Sequence, residues 1–183
     1  MVPTDREISF RPIAPADVPN LVRWQRDPEV AHWYHDSAVL SDQELNDKWI
    51  RRTSGTGTPH ETNTRRFIIT VDGSDIGEIQ VYDLRDYPVE AKEIGIPNAG
   101  GLDLFIGEPE WRDRGVGSRV VRQFVDEMVF GIPGVETCVI EPEPANKRAI
   151  RSYEKAGFKF AKTYHSYANE MDCYLMRQER IPD

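Results

Sequence analysis

Residues 101–117 read Gly-Leu-Asp-Leu-Phe-Ile-Gly-Glu-Pro-Glu-Trp-Arg-Asp-Arg-Gly-Val-Gly, and this stretch decides the fold. Residues 101–106 are an expected strand, with Leu102, Leu104 and Ile106 on one face. A polar turn follows, and Gly115 and Gly117 open a helix over 115–130. Val116, Val120, Val121, Phe124, Val125, Met128 and Val129 form its apolar stripe at helical spacing. A helix N-terminus presents unpaired N–H groups and the positive end of a dipole, and glycine lets an anion approach them closely. Arg112, Arg114, Arg119 and Arg122 lie around the same turn. The stretch therefore reads as an anion site. It lacks the Lys-Ser/Thr ending of a P-loop and is not a dinucleotide fingerprint. A plain strand-to-helix connection with exposed arginines has the same pattern.

Working outward, residues 7–13 alternate as a first strand, and Asp17 opens a short helix holding Val18, Leu21, Val22 and Trp24. Pro28 and Glu29 start another short helix through His35. Ser41 and Glu44 have capping-box spacing ahead of Leu45, Trp49 and Ile50, which predicts a third helix. Residues 53–64 are polar, rich in Thr and Gly, and read as a mobile loop. Strands over 66–71 and 75–82 flank an Asp72-Gly73 turn. Residues 83–100, with several acids, two prolines and two glycines, read as a long loop. A buried strand over 135–140 and a helix over 144–156, closed by Gly157, follow. Strands over 158–167 and 170–176 complete the chain around Ala168-Asn169. The order predicts a single mixed α/β domain spanning 1–183, an α+β arrangement with a largely antiparallel sheet flanked by helices.

With 183 residues, 39% of them apolar, the chain is long enough to bury one sizeable core. No stretch approaches the roughly 20 apolar residues of a membrane span, and residues 1–10 lack the pattern of a secretory signal. Cys138 and Cys173 sit in apolar, strand-like contexts and read as reduced thiols of a cytoplasmic protein, with contact between the two as the alternative. The excess of 31 acidic over 23 basic residues excludes the basic field of a general nucleic-acid binder. It suits a cationic partner, and equally a merely soluble surface. His32, His35, His60 and His165 show no metal-ligand grouping, so no metal is expected.

Arg112-Asp113-Arg114-Gly115-Val116-Gly117 resembles the Arg/Gln-x-x-Gly-x-Gly/Ala acetyl-CoA motif of the GNAT superfamily of N-acetyltransferases. Residues 146–158, Asn-Lys-Arg-Ala-Ile-Arg-Ser-Tyr-Glu-Lys-Ala-Gly-Phe, resemble that family's later motif, a helix ending in Gly-Phe. Two motifs in order are far more specific than one. The resemblance covers roughly residues 67–176. It implies the GNAT fold, acetyl-CoA as cosubstrate, and pyrophosphate held by the amides of Arg112, Asp113, Arg114, Gly115, Val116, Gly117 and Ser118. It also implies a pantetheine arm between splayed parallel strands, residues 102–106 and 135–140. Leu104, Phe105, Ile106, Asn146 and Arg148 join the cofactor contacts by the same resemblance.

Amine acetylation needs a base for the amine and an acid for the leaving thiolate. Tyr153 matches the family tyrosine near the CoA sulfur and takes the acid role, with a packed core tyrosine as the alternative. Asp103 lies inside an apolar strand between Leu102 and Leu104, where a carboxylate has a high desolvation cost unless it serves a partner. It is the expected base, unless that strand face is simply wet.

Several segments are similar to bacterial aminoglycoside 6′-N-acetyltransferases. Gly100-Gly101-Leu102-Asp103 resembles their Gly-Ile-Asp segment, and residues 141–151 resemble their Asp-Pro-x-Pro-x-Asn-x-Arg-Ala-Ile-Arg stretch. His32-Trp33-Tyr34 stands where those enzymes carry an aromatic-rich segment. Trp33, Tyr34, Asp83, Glu93, Asp103 and Glu141 are therefore the expected contacts to a polycationic drug, with Asp86 and Glu90 adding acid to the same loop. The match is imperfect, because Leu102 replaces Ile and Glu141 stands where Asp is usual. Siderophore-building N-acyltransferases and acetyltransferases of protein N-termini share this shape, and a catalytically silent acyl-CoA-binding module is the remaining alternative.

Overall fold

The computed structural model describes residues 6–181, apart from the side chains of His35, Asp36 and His60. In chain order the elements are β1 (Ile8–Pro12), α1 (Val18–Arg26), α2 (Pro28–Ala31), α3 (His35–Val39), α4 (Asp42–Ser54) and α5 (Pro59–Thr62). Then come β2 (Arg65–Val71), β3 (Ser74–Asp83), α6 (Pro88–Ile94), β4 (Ala99–Ile106) and α7 (Val116–Phe124). The chain finishes with β5 (Thr137–Ile140), α8 (Lys147–Ala156), β6 (Lys159–Ser166) and β7 (Met171–Glu179). A seven-stranded sheet runs β1-β2-β3-β4-β5-β7-β6. β4 and β5 are parallel over Ala99↔Thr137 to Gly101↔Val139, whereas β1/β2, β5/β7 and β6/β7 are antiparallel. This is the mixed, mostly antiparallel α+β sheet that the sequence predicts.

Local signals explain most of these elements. Ser41 caps α4, its hydroxyl accepting the Glu44 N–H at 3.3 Å while the Glu44 carboxylate accepts the Ser41 N–H at 2.8 Å. Gly55 ends α4 in the left-handed region at φ 65°. The β2–β3 turn has Asp72 at φ 50° and Gly73 at φ 79°, both positive as a type I′ hairpin turn requires. α7 continues through Val129 as a wider turn, in which the Phe130 N–H reaches the Val125 carbonyl at 2.9 Å.

The chain groups into two compact units, residues 1–80 with 104–114, and residues 81–103 with 115–183. In the first, Val18, Leu21, Trp24, Val30, Leu45, Trp49, Ile68 and Phe105 form the core. Its tryptophans keep their indole N–H groups bonded: Trp24 donates to Glu108 at 2.8 Å and Trp49 to Gln25 at 2.9 Å. In the second, Leu84, Tyr87, Ile94, Ala99, Val139 and Leu175 pack together.

Three expectations need correction. The expected long loop over 83–100 contains a 3-10 turn at Leu84–Asp86 and α6, and β4 already begins at Ala99. Pro88 starts α6 and Gly95, at φ 71°, ends it, while burial of Tyr87 and Ile94 supplies the stabilisation that the polar composition hides. The expected loop over 53–64 holds the end of α4 and all of α5. Burial along β4 does not alternate as expected, because Leu102 and Phe105 are buried whereas Leu104 and Ile106 are half-buried.

The first unit also buries Lys48, which is 7% exposed. Burial, with the positive charges of Arg52 and Arg66, lowers its ammonium to about 7 against the opposing pull of Glu61 and Glu78. In the unfolded chain a lysine keeps its proton to about pH 10.4. Between those values the unfolded state binds more protons, so Lys48 makes stability rise with pH across that window. Lys48→Met should therefore raise the melting temperature more at about pH 6 than at about pH 9. Equal gains at both pH values in thermal melts would contradict the assignment.

Candidate functional site

Helix α7 starts without a capping side chain. Its N-cap is Gly115 at φ 75°, a left-handed conformation that glycine adopts without a Cβ penalty, and this residue has no side chain to cap the first turn with. The Ser118 hydroxyl donates to the Gly115 carbonyl at 3.1 Å, leaving the first-turn amides to other acceptors. Asp113, also at positive φ (58°), bends the preceding turn. A Cβ on Gly117 would stand 3.3 Å from the Ser152 hydroxyl, so this part of the first turn is bare backbone. Arg114 and Gly115 are exposed, and Val116 is buried in the stripe that anchors the helix.

Of the four arginines read as one positive field, Arg112 is turned inward. Its guanidinium donates to the carbonyls of Ile106 (2.9 Å) and Gly107 (2.6 Å) and to the carboxylates of Asp27 (2.8 Å) and Glu29 (2.9 Å). The side chain is 6% exposed, and its hydrogen bonds and charge hold Asp27 below the usual carboxylate range against the cost of burial. Arg112 thus fixes the end of β4 and leaves only its backbone for an anion. Arg122 donates to the Lys155 carbonyl at 2.6 Å, near the C-terminus of α8.

In the second unit the structure brings Asp103, Tyr153 and Glu141 within electrostatic reach. Burial, then the charge of Asp103, pushes the Tyr153 phenol well above its ordinary value, so it remains an O–H donor through the neutral range. Burial, then Asp103 and Glu93, raises Glu141, while a hydrogen bond from the Tyr164 phenol partly offsets them. Tyr82 also feels Asp103, and burial is the larger cause of its upward shift. A Cβ on Gly101 would fall 2.3 Å from the Tyr82 ring, which is the physical need for glycine before Leu102 and Asp103.

The remaining expected residues have assigned partners. The Asn146 side chain caps α8, accepting the Ala149 N–H at 3.1 Å, and Arg148 is exposed on that helix. Tyr34, in the first unit, donates to the Leu104 carbonyl at 2.8 Å and meets Phe105 edge-on. Trp33 is half-buried against His32. Asp83 is held by the Arg85 guanidinium, and Glu93 accepts from the Ser166 hydroxyl (2.7 Å) and the Tyr167 N–H (2.9 Å). The sequence assigned no site role to Tyr82, Tyr164 or Cys173. Their only signal was alternation along strands, which marks a face without saying what it meets. Both cysteines are free and buried. Among the described residues there is no group of His, Cys, Asp and Glu suited to a metal ion. No helix among them is long and apolar enough to cross a membrane.

The sequence profile of the acetyltransferase (GNAT) domain matches residues 14–166. The chain belongs to the GNAT acetyltransferase family. An aminoglycoside N(6′)-acetyltransferase type 1 of Klebsiella pneumoniae is 25% identical over 154 residues, covering 83% of this chain and 74% of that protein. An N(6)-hydroxylysine O-acetyltransferase of Escherichia coli is 26% identical over 162 residues, 87% of this chain but 48% of that longer protein. A crystal structure of an aminoglycoside acetyltransferase with coenzyme A and kanamycin superposes with a TM-score of 0.77 at 23% identity, over 95% of each chain. That likeness shows the GNAT fold.

The two arginines of the turn should separate in a stability assay. Arg112→Ala leaves Asp27 and two carbonyls without their donor, and should lower the unfolding free energy by about 3 kcal/mol. Arg114→Ala, at an exposed position, should stay within about 0.5 kcal/mol of the parent. Urea denaturation measures both, and a neutral Arg112→Ala would mean the guanidinium does not hold the turn.

Proposed function

We propose that this GNAT protein transfers an acetyl group from acetyl-CoA to an amine of a polycationic substrate, the 6′-amine of an aminoglycoside antibiotic. One observation carries the reading: Asp103, in the same unit as the uncapped start of α7, shares its field with a second carboxylate, Glu141, and with a protonated phenol, Tyr153. The curated aminoglycoside relative, at 25% identity over most of this chain, supports the choice of substrate.

The residues present fit acetyl-CoA. The amides of Gly115, Val116, Gly117 and Ser118 would receive its pyrophosphate, with those of Arg112, Asp113 and Arg114 on the approach and the exposed Arg114 adding charge. When bound, the cosubstrate supplies a thioester as acyl donor. Leu104, Phe105 and Ile106 of β4, with Asn146 and Arg148 at the start of α8, complete the expected cofactor contacts.

Amino-sugar ammonium groups arrive largely protonated and are then not nucleophilic. Asp103 binds the ammonium and takes its proton, directly or through a water, as the nitrogen attacks. Tyr153 directs its O–H toward the departing sulfur. With its phenol held so far up, it acts first by hydrogen bonding and completes proton transfer late. Glu141 holds a second ammonium group of the substrate, and Trp33, Tyr34, Asp83 and Glu93 are the outlying candidate contacts. A hydroxylamine acceptor is the second reading, favoured by the likeness to the hydroxylysine acetyltransferase.

A pair of variants tests the assignment. Asp103→Asn should cut kcat/KM for kanamycin by about 10²-fold or more while CoA affinity is kept. Gly117→Asp should do the reverse, lowering CoA affinity by about 10²-fold, or about 2.8 kcal/mol, in a protein that circular dichroism finds folded. Calorimetry and steady-state kinetics read the two effects. An Asp103→Asn enzyme as fast as the parent would remove Asp103 from the proton path, and unchanged affinity in Gly117→Asp would place the phosphates elsewhere.

A further inference from the structure

Glu141 stands directly after the last residue of β5 and has one more rotatable bond than the aspartate of the motif that residues 141–151 resemble. A longer carboxylate there needs something to hold it. The structure supplies a phenol from a strand that is not β5's neighbour. Tyr164 of β6 donates its hydroxyl to Glu141 Oε1, reaching past β7 in the order β5-β7-β6. The residue paired with Tyr164 on β7 is Cys173, whose small side chain shares that face and also neighbours Glu141. The Tyr174 N–H donates to the Pro142 carbonyl at 2.9 Å, tying the segment after Glu141 to β7.

The phenol is itself held. Its ring packs against the core of Leu84, Tyr87, Ile94, Ala99, Val139 and Leu175. The Lys162 ammonium lies 4.9 Å from the ring centroid and donates to the Glu93 carbonyl at 2.7 Å. The Glu93 carboxylate secures the end of β6 through the Ser166 hydroxyl and the Tyr167 N–H. Burial and the adjoining Glu141 carboxylate push the Tyr164 hydroxyl upward, so it stays protonated and donates. The helix expected as a loop over the substrate is therefore a strut for β6.

We propose that Tyr164 is a positioning residue: it fixes the Glu141 carboxylate beside Asp103, so that the two carboxylates together receive a substrate carrying two ammonium groups. The inference rests on the proposed polycationic substrate for its kinetic consequence, though not for its physical one. Tyr164 stabilises the ionised form of Glu141 against burial and the charges of Asp103 and Glu93. Removing the hydroxyl leaves only the Cys173 thiol to oppose those three, so Glu141 holds its proton to higher pH.

The first arm needs no substrate. The Glu141 carboxyl carbon is titrated by ¹³C NMR in the parent protein and in Tyr164→Phe, which keeps the ring against its core. The midpoint should rise by about one pH unit, and an unchanged midpoint overturns the proposal. In the second arm, Tyr164→Phe should raise KM for kanamycin about tenfold with kcat near the parent value, and should move the acid limb of kcat/KM to higher pH. The same change in a Glu141→Gln background should cost almost nothing further. An equal cost in both backgrounds overturns the proposal, because Tyr164 would then act independently of Glu141. If the parent protein acetylates another amine and not kanamycin, the substrate reading fails. The NMR arm then decides the Tyr164 role, and the kinetic cycle is run on the amine that reacts.

Discussion

The constraint on which this structure turns is the open N-terminus of α7. A helix begins with orphan N–H groups, and most helices give some of them to a capping side chain. Here the N-cap is glycine in a left-handed conformation, and the next position but one also lacks a side chain. The arrangement gives the first-turn amides no partner on the N-cap residue itself. It persists because its surroundings are over-determined. Val116, Val120, Val121 and Phe124 bury one face of the helix, and the Arg112 guanidinium binds two carbonyls at the end of β4 together with Asp27 and Glu29. The residue that looks most like an anion ligand in the motif is thus the one that shapes the turn.

A second cost is accepted around Asp103. Two carboxylates and half-buried phenols share one region, and the charge of Asp103 raises the proton affinity of Glu141, Tyr153 and Tyr82. Such a cluster opposes stability at neutral pH, since Glu141 keeps its proton in the fold at pH values where the unfolded chain has released it. The hydrogen bond from the Tyr164 phenol to Glu141 partly offsets this. Ammonium groups of a substrate would relieve the same repulsion, which links the destabilising charge to recognition.

Much of this was legible from sequence because the signals are local. The Asp72-Gly73 turn, the Ser41–Glu44 capping box and the apolar stripe of α7 each state their geometry within a few residues. α6 was not legible. Its seven residues are too few and too polar to declare a helix, and contacts of Tyr87 and Ile94 with distant strands stabilise it. At the site, sequence gave charges without directions. Asp103 lies far from Glu141 and Tyr153 in the chain, yet its charge reaches both. Arg112, Asp83 and Glu93 carry the expected charge but direct it to partners inside the protein. Tyr164 was invisible because its role depends on a register, Tyr164 opposite Cys173, that only the folded sheet defines.

The measurement that bears most directly on the account is CoA release from acetyl-CoA by the parent protein, with and without kanamycin, alongside a mass spectrum of the antibiotic. The account predicts slow release alone, strong stimulation by kanamycin, and a product that has gained a single acetyl group on its 6′-amine. Release unaffected by kanamycin but stimulated by a hydroxylamine or a peptide N-terminus would contradict it.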